Sequence, residues 1–151
     1  MGLIQDLGSG GVALDTAAFI YFIEEHPKFL PVILPLFREA DRGKRSLTTS
    51  ALTLLEVLAV PYRAGNRALA ERYEALLTRG RGIRLVDIVR EQLRGAAQLR
   101  AATGVKTPDA LQIVAAISTF SSVRALRRTP GTPGQSVPKI ILLASRRSER
   151  P

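Results

Sequence analysis

Short apolar runs alternate along this chain with longer stretches of helical spacing. Val12-Ala13-Leu14 has no polar break and reads as a short buried strand closing at Asp15; from Thr16 to His26 the period becomes helical, through Phe19, Phe22 and Ile23. Pro31 opens a second helix through Val32, Leu36 and Phe37 to about Asp41, since proline is tolerated in a first turn. Ser46-Leu47-Thr48 predicts a second strand, with Thr49 or Ser50 capping a third helix from Ala51 to about Tyr62. An amphipathic stretch from Ala68 to Leu77 ends at Arg79-Gly80, and Ile83-Arg84-Leu85-Val86 makes a third strand. Two helices follow, about Ile88 to Thr103 and Pro108 to Thr119, divided at Gly104. Strands alternating with helices predict an α/β fold, a sandwich around a short, mainly parallel sheet.

The texture changes at both ends. Residues 1–11 finish in Gly8-Ser9-Gly10-Gly11 and read as a flexible lead-in; these glycines precede a strand and lack the Gly-Lys-Ser/Thr of a phosphate loop. After residues 12–119, the expected domain, residues 120–151 form a basic tail, turn-rich at Thr129-Pro130-Gly131-Thr132-Pro133-Gly134, in which Lys139 to Ala144 offers one edge strand. At 151 residues and 46% hydrophobic, the chain suits one domain with a sizeable core. It shows no run of the roughly 20 apolar residues a bilayer requires and no signal-peptide pattern, so a cytoplasmic protein without membrane association is expected. Zero cysteines exclude disulfides and thiolate metal sites, and a single histidine, His26, makes a zinc centre a poor fit. The net charge of +9 points to a polyanionic partner such as nucleic acid, although the tail carries +6 of it and residues 1–119 only +3. Binding of nucleic acid through the tail alone is a separate reading; its runs Arg124 to Arg128 and Arg146 to Arg150 lack the interleaved aromatics of a base-stacking platform.

The candidate chemistry lies in three carboxylates. Glu56 interrupts the apolar run from Leu52 to Leu58; with Thr49 and Thr53 it forms a polar stripe at helical spacing, so it is expected to face a cleft or a partner. Asp15 ends the first strand, where ligands gather in open α/β sheets, and it is equally placed to cap the helix starting at Thr16. Asp109 follows Thr107 and Pro108 in a first helical turn, where a negative charge also complements the helix dipole. Converging at one sheet edge, the three would offer hard oxygen ligands suited to Mg²⁺ or Mn²⁺. A hydrolase triad built on His26 is not supported, because the chain has no Gly-x-Ser-x-Gly element.

Three segments carry a family resemblance: Val12-Ala13-Leu14-Asp15-Thr16, Thr48-Thr49-Ser50-Ala51-Leu52-Thr53-Leu54-Leu55-Glu56 and Lys106-Thr107-Pro108-Asp109-Ala110-Leu111-Gln112-Ile113. In order and spacing they resemble successive blocks of the PIN-domain ribonucleases, nearest to the VapC-type toxins of toxin–antitoxin pairs. The resemblance implies a PIN-like α/β/α sandwich and a metal-dependent endoribonuclease that acts on RNA with Mg²⁺ or Mn²⁺. It also implies a cognate antitoxin and a homodimer. It places Asp15, Glu56 and Asp109 as catalytic, metal-binding acids, with Thr16 or Ser50 as supporting hydroxyls. The family pattern continues with a strand ending in a Thr-x-Asp-like element; Ser121-Ser122-Val123 resembles that element here, with Val123 where a fourth acid is expected. A module that binds RNA or antitoxin without cleaving is therefore the alternative.

Overall fold

In a computed structural model, which describes residues 10–126 and 139–141, each of the first three strands is followed by two helices. β1 (Val12–Leu14) leads into α1 (Thr16–Ile23) and α2 (Leu30–Asp41), and β2 (Leu47–Ser50) into α3 (Leu52–Arg63) and α4 (Arg67–Arg79). β3 (Ile83–Val86) leads into α5 (Arg90–Thr103) and α6 (Thr107–Leu126), and β4 (Lys139–Ile141) comes last. The sheet order is β3-β2-β1-β4 with every pair parallel, so the carboxyl ends of the strands share one edge.

Every residue of β1 and β2 is buried, which requires cover on both faces of the sheet. On one face, Val12, Leu14 and Leu47 pack with Phe19 and Ile23 of α1, Ile33, Leu36 and Phe37 of α2, and Tyr73 and Leu77 of α4. Helix α6 packs against β1 and β2, and its Ala110 and Leu111 join Ala96 of α5 in a second, smaller cluster. The result is the expected α/β/α arrangement around a parallel sheet. Arg45 fastens the entry to β1: its guanidinium bonds Glu39 of α2 at 2.7 Å and the carbonyl of Gly10 at 3.2 Å.

Several element boundaries differ from those the spacing predicts. β2 continues through Thr49 and Ser50, because Thr49 and Ser50 pair with Leu85 and Val86 of β3; Ala51 is then the N-cap of α3, without a side-chain cap bond. Thr49 is thus a strand residue, and Ser50 assists α3 only by accepting from the Leu52 amide at 3.2 Å. α6 starts at Thr107, since the carbonyl of Lys106 already accepts from the Ala110 amide. It runs on to Leu126, carrying the chain past Thr119 without a break. Of the strand expected from Lys139 to Ala144, residues 139–141 are seen and 142–144 lie outside the described residues, as do the lead-in up to Ser9 and tail residues 127–138 and 145–151.

Two glycines with the same backbone angle differ in their surroundings. Gly82, at φ +72°, precedes β3, and a Cβ there would stand 2.5 Å from the carbonyl oxygen of Ala40. Gly104, also at φ +72°, ends α5 with nothing within 4 Å of an added Cβ. Gly104→Ala is expected to cost only the left-handed backbone strain, about 1–2 kcal/mol. Gly82→Ala adds an overpacking cost of about 1–3 kcal/mol, so urea unfolding should rank it clearly below Gly104→Ala.

Candidate functional site

Asp15 is the first residue beyond β1 and the N-cap of α1, its Oδ1 accepting from the Ala18 amide at 3.3 Å. The capping reading of this position thus holds, and the cap bond occupies one carboxylate oxygen. Asp109 stands in the first turn of α6 and Glu56 on the second turn of α3, and α3 packs against both α1 and α6. The acids act on one another: burial chiefly, and then the charges of Asp109 and Glu56, push the Asp15 carboxyl from the ordinary 3.8 up to about 6. The Ala18 and Ala17 amides oppose that rise.

Glu56 is less enclosed than its apolar sequence context suggests. It lies on the solvent side of α3, next to Leu55, which is 67% exposed, and accepts from the Thr16 hydroxyl at 3.1 Å. The stripe of Thr49, Thr53 and Glu56 exists, but by a different route. Thr49 reaches Thr53 from the strand at 2.7 Å, and Thr53 meets Thr16 at 3.3 Å. Gln112 of α6 joins this chain: its Oε1 accepts from the Ser50 amide at 3.0 Å and the Thr49 hydroxyl at 3.2 Å, while its Nε2 donates to Thr53 at 2.8 Å. No role for Gln112 was read from the sequence. The signal was nonetheless present, since a lone amide inside Ala110-Leu111-Gln112-Ile113-Val114 must find partners if that helix is buried.

Thr16 joins the acids directly through Glu56, whereas the Ser50 hydroxyl is turned to the start of α3. His26 has its Nδ1 accepting from the Lys28 amide at 3.2 Å and packs against Tyr21 and Phe29. Val123 sits inside α6 and so does not end a strand. The strand beside β1 is instead β4, with Leu14 paired to Ile141, and the sequence next reads Leu142-Leu143-Ala144-Ser145, without a carboxylate.

Three carboxylates suit a hard divalent cation in chemical type. Among the described residues, no group of three His, Cys, Asp or Glu side chains is gathered tightly enough to hold an ion alone. That open arrangement still fits Mg²⁺, which commonly keeps several waters and takes only one or two protein carboxylates together with substrate phosphates.

The sequence profile of the PIN domain matches residues 12–123, from β1 into the last turns of α6, and the chain belongs to that family. Two solved structures share the fold. One is VapBC2 from Rickettsia felis bound to a DNA fragment from their promoter: TM-score 0.56, 18% identity, covering 73% of this chain and 83% of that one. The other is a toxin–antitoxin complex from Klebsiella pneumoniae: TM-score 0.51, 16% identity, covering 72% and 80%. No curated protein matches the chain significantly in sequence. Among the described residues, no helix is long and apolar enough to cross a membrane.

The raised Asp15 carboxyl has a signed consequence for stability. The folded chain holds that proton more tightly than the unfolded chain, so the contribution favours folding fully below about pH 3.8 and disappears as pH rises through about 6. Asparagine keeps the cap and removes the charge. In metal-free buffer, Asp15→Asn should raise the melting temperature by a few degrees at pH 8 and leave it unchanged at pH 4. An equal shift at both values would show that charge crowding is not its origin.

Proposed function

We propose that this PIN-domain protein is a metal-dependent endoribonuclease and the toxin of a toxin–antitoxin pair. The observation that carries the reading is that the charges of Asp109 and Glu56, from two other segments, bear on the Asp15 carboxyl at the end of β1. Such crowding raises the energy of the metal-free site, and a cation relieves it. Asp15, Asp109 and Glu56 would hold Mg²⁺ or Mn²⁺. When bound, the ion supplies Lewis-acid stabilisation of phosphate charge and eases loss of a proton from water.

The chain's own residues supply orientation. The cap bond to Ala18 restricts the Asp15 carboxylate, and the Thr16 hydroxyl restricts that of Glu56. No protein nucleophile is needed, since water can attack a phosphodiester directly. The resemblance to toxin–antitoxin complexes supports a cognate antitoxin; a cytoplasmic homodimer is part of the same proposal. Exposed Leu55, Val60 and Tyr62 on α3 leave apolar surface for a protein partner.

A second reading, a module that binds RNA or antitoxin without cutting, is favoured by one observation: neither Val123 in α6 nor Leu142-Leu143-Ala144-Ser145, next in sequence after β4, offers a fourth acid. Incubation with single-stranded RNA separates the two. Cleavage should require Mg²⁺ or Mn²⁺ and fall by about 10²-fold or more in Asp15→Asn, the scale expected when an electrostatic stabiliser of the transition state is lost. Binding without cleavage at any metal concentration would favour the second reading, and equal cleavage by both proteins would reject the assigned acids.

A further inference from the structure

We propose that Gln112 and Thr53 are positioning residues, which set the direction of a buried hydroxyl chain so that it ends by donating to Glu56. The inference rests on the metal-site reading above and deepens it. It begins with a donor that has no choice. The Ser50 amide can only donate, so the Gln112 atom facing it at 3.0 Å is the oxygen, and the nitrogen must face Thr53 Oγ1 at 2.8 Å. Thr53 therefore accepts from Gln112, and its single proton remains for Thr49 or Thr16.

The other end of the chain decides between those two. An ionised carboxylate only accepts, so Thr16 donates to Glu56 at 3.1 Å, and its own proton is then engaged. The contact between Thr53 and Thr16 at 3.3 Å can then form only with Thr53 as donor. With that proton committed, Thr49 is the donor to Thr53 at 2.7 Å, its proton shared with the Gln112 oxygen at 3.2 Å. One direction results: Thr49 and Gln112 into Thr53, Thr53 into Thr16, and Thr16 into Glu56. Thr53 is fully saturated, accepting two bonds and donating one.

Burial makes this direction hard to reverse. Thr49, Thr53 and Gln112 are 1%, 0% and 5% exposed, so water is a poor substitute for a missing partner. Glu56 is the opposite case, an exposed side chain with many rotamers to sample. The chain gives it a fixed donor on the side of Asp15, the residue next to Thr16. Outer groups that orient ligands in this way commonly govern metal affinity.

Thr53→Val keeps the branched shape and removes the hydroxyl; Thr53→Ser keeps the hydroxyl; Gln112→Met removes the amide. Mn²⁺ binding to each folded, RNA-free protein is measured by isothermal titration calorimetry, with folding checked by circular dichroism melts. Thr53→Val should weaken Mn²⁺ binding about tenfold or more, and Thr53→Ser should stay within about threefold of the parent. Gln112→Met should match Thr53→Val, and the double variant should be no weaker than either single one, because both act through one chain. If Gln112→Met does not fold, the comparison of Thr53→Val with Thr53→Ser decides alone. Folded Thr53→Val that binds Mn²⁺ like the parent, or Thr53→Ser that loses as much as Thr53→Val, overturns the proposal while leaving the metal site standing. A parent protein that binds no Mn²⁺ overturns both.

Discussion

The side chain of Gln112 can meet the Ser50 amide and the Thr53 hydroxyl together only when α6 lies across the ends of β2 and α3. Much of the candidate site depends on that pair of hydrogen bonds. Asp109 is on the same helix one turn earlier, and Glu56 is on α3 one turn beyond Thr53, so the amide that satisfies a buried backbone donor also sets the spacing of two acids. An unpaired amide at such a depth would be costly, which makes the arrangement narrow in its tolerance. Packing of apolar residues alone would permit α6 to slide; directional bonds restrict it.

The site also runs against the usual economy of a stable fold. A carboxylate at a helix N-terminus ordinarily stabilises, and the Ala18 and Ala17 amides do lower the Asp15 carboxyl. Burial and the two neighbouring acids outweigh them. Electrostatic crowding of this kind is common at functional sites, and here it sits beside β1, a strand buried at every residue.

Much of the fold was legible from local pattern. β1, β3 and the helical stretches follow from apolar runs and helical spacing, and membership of the PIN family follows from the three blocks around Asp15, Glu56 and Asp109. The errors fell at junctions. Thr49 and Ser50 carry good capping side chains, yet pairing with Leu85 and Val86 draws them into β2. Thr119 looked like a helix end because the composition changes there, whereas α6 continues through Leu126. Val123 therefore lies within a helix, and the strand that pairs with β1 is β4. Gln112 went unassigned because an isolated polar residue shows its partners only when distant segments are brought together.

The order of strands and helices, the shortage of soft metal ligands and the three separated acids were all settled by residue type and local spacing, since backbone preference and side-chain chemistry act over a few residues. Which acid would be crowded, which would remain exposed, and which hydroxyl would donate to Glu56 depended on packing among β2, α1, α3 and α6. Those are matters of burial and hydrogen-bond direction between residues up to 63 positions apart in the chain, and no local pattern encodes them.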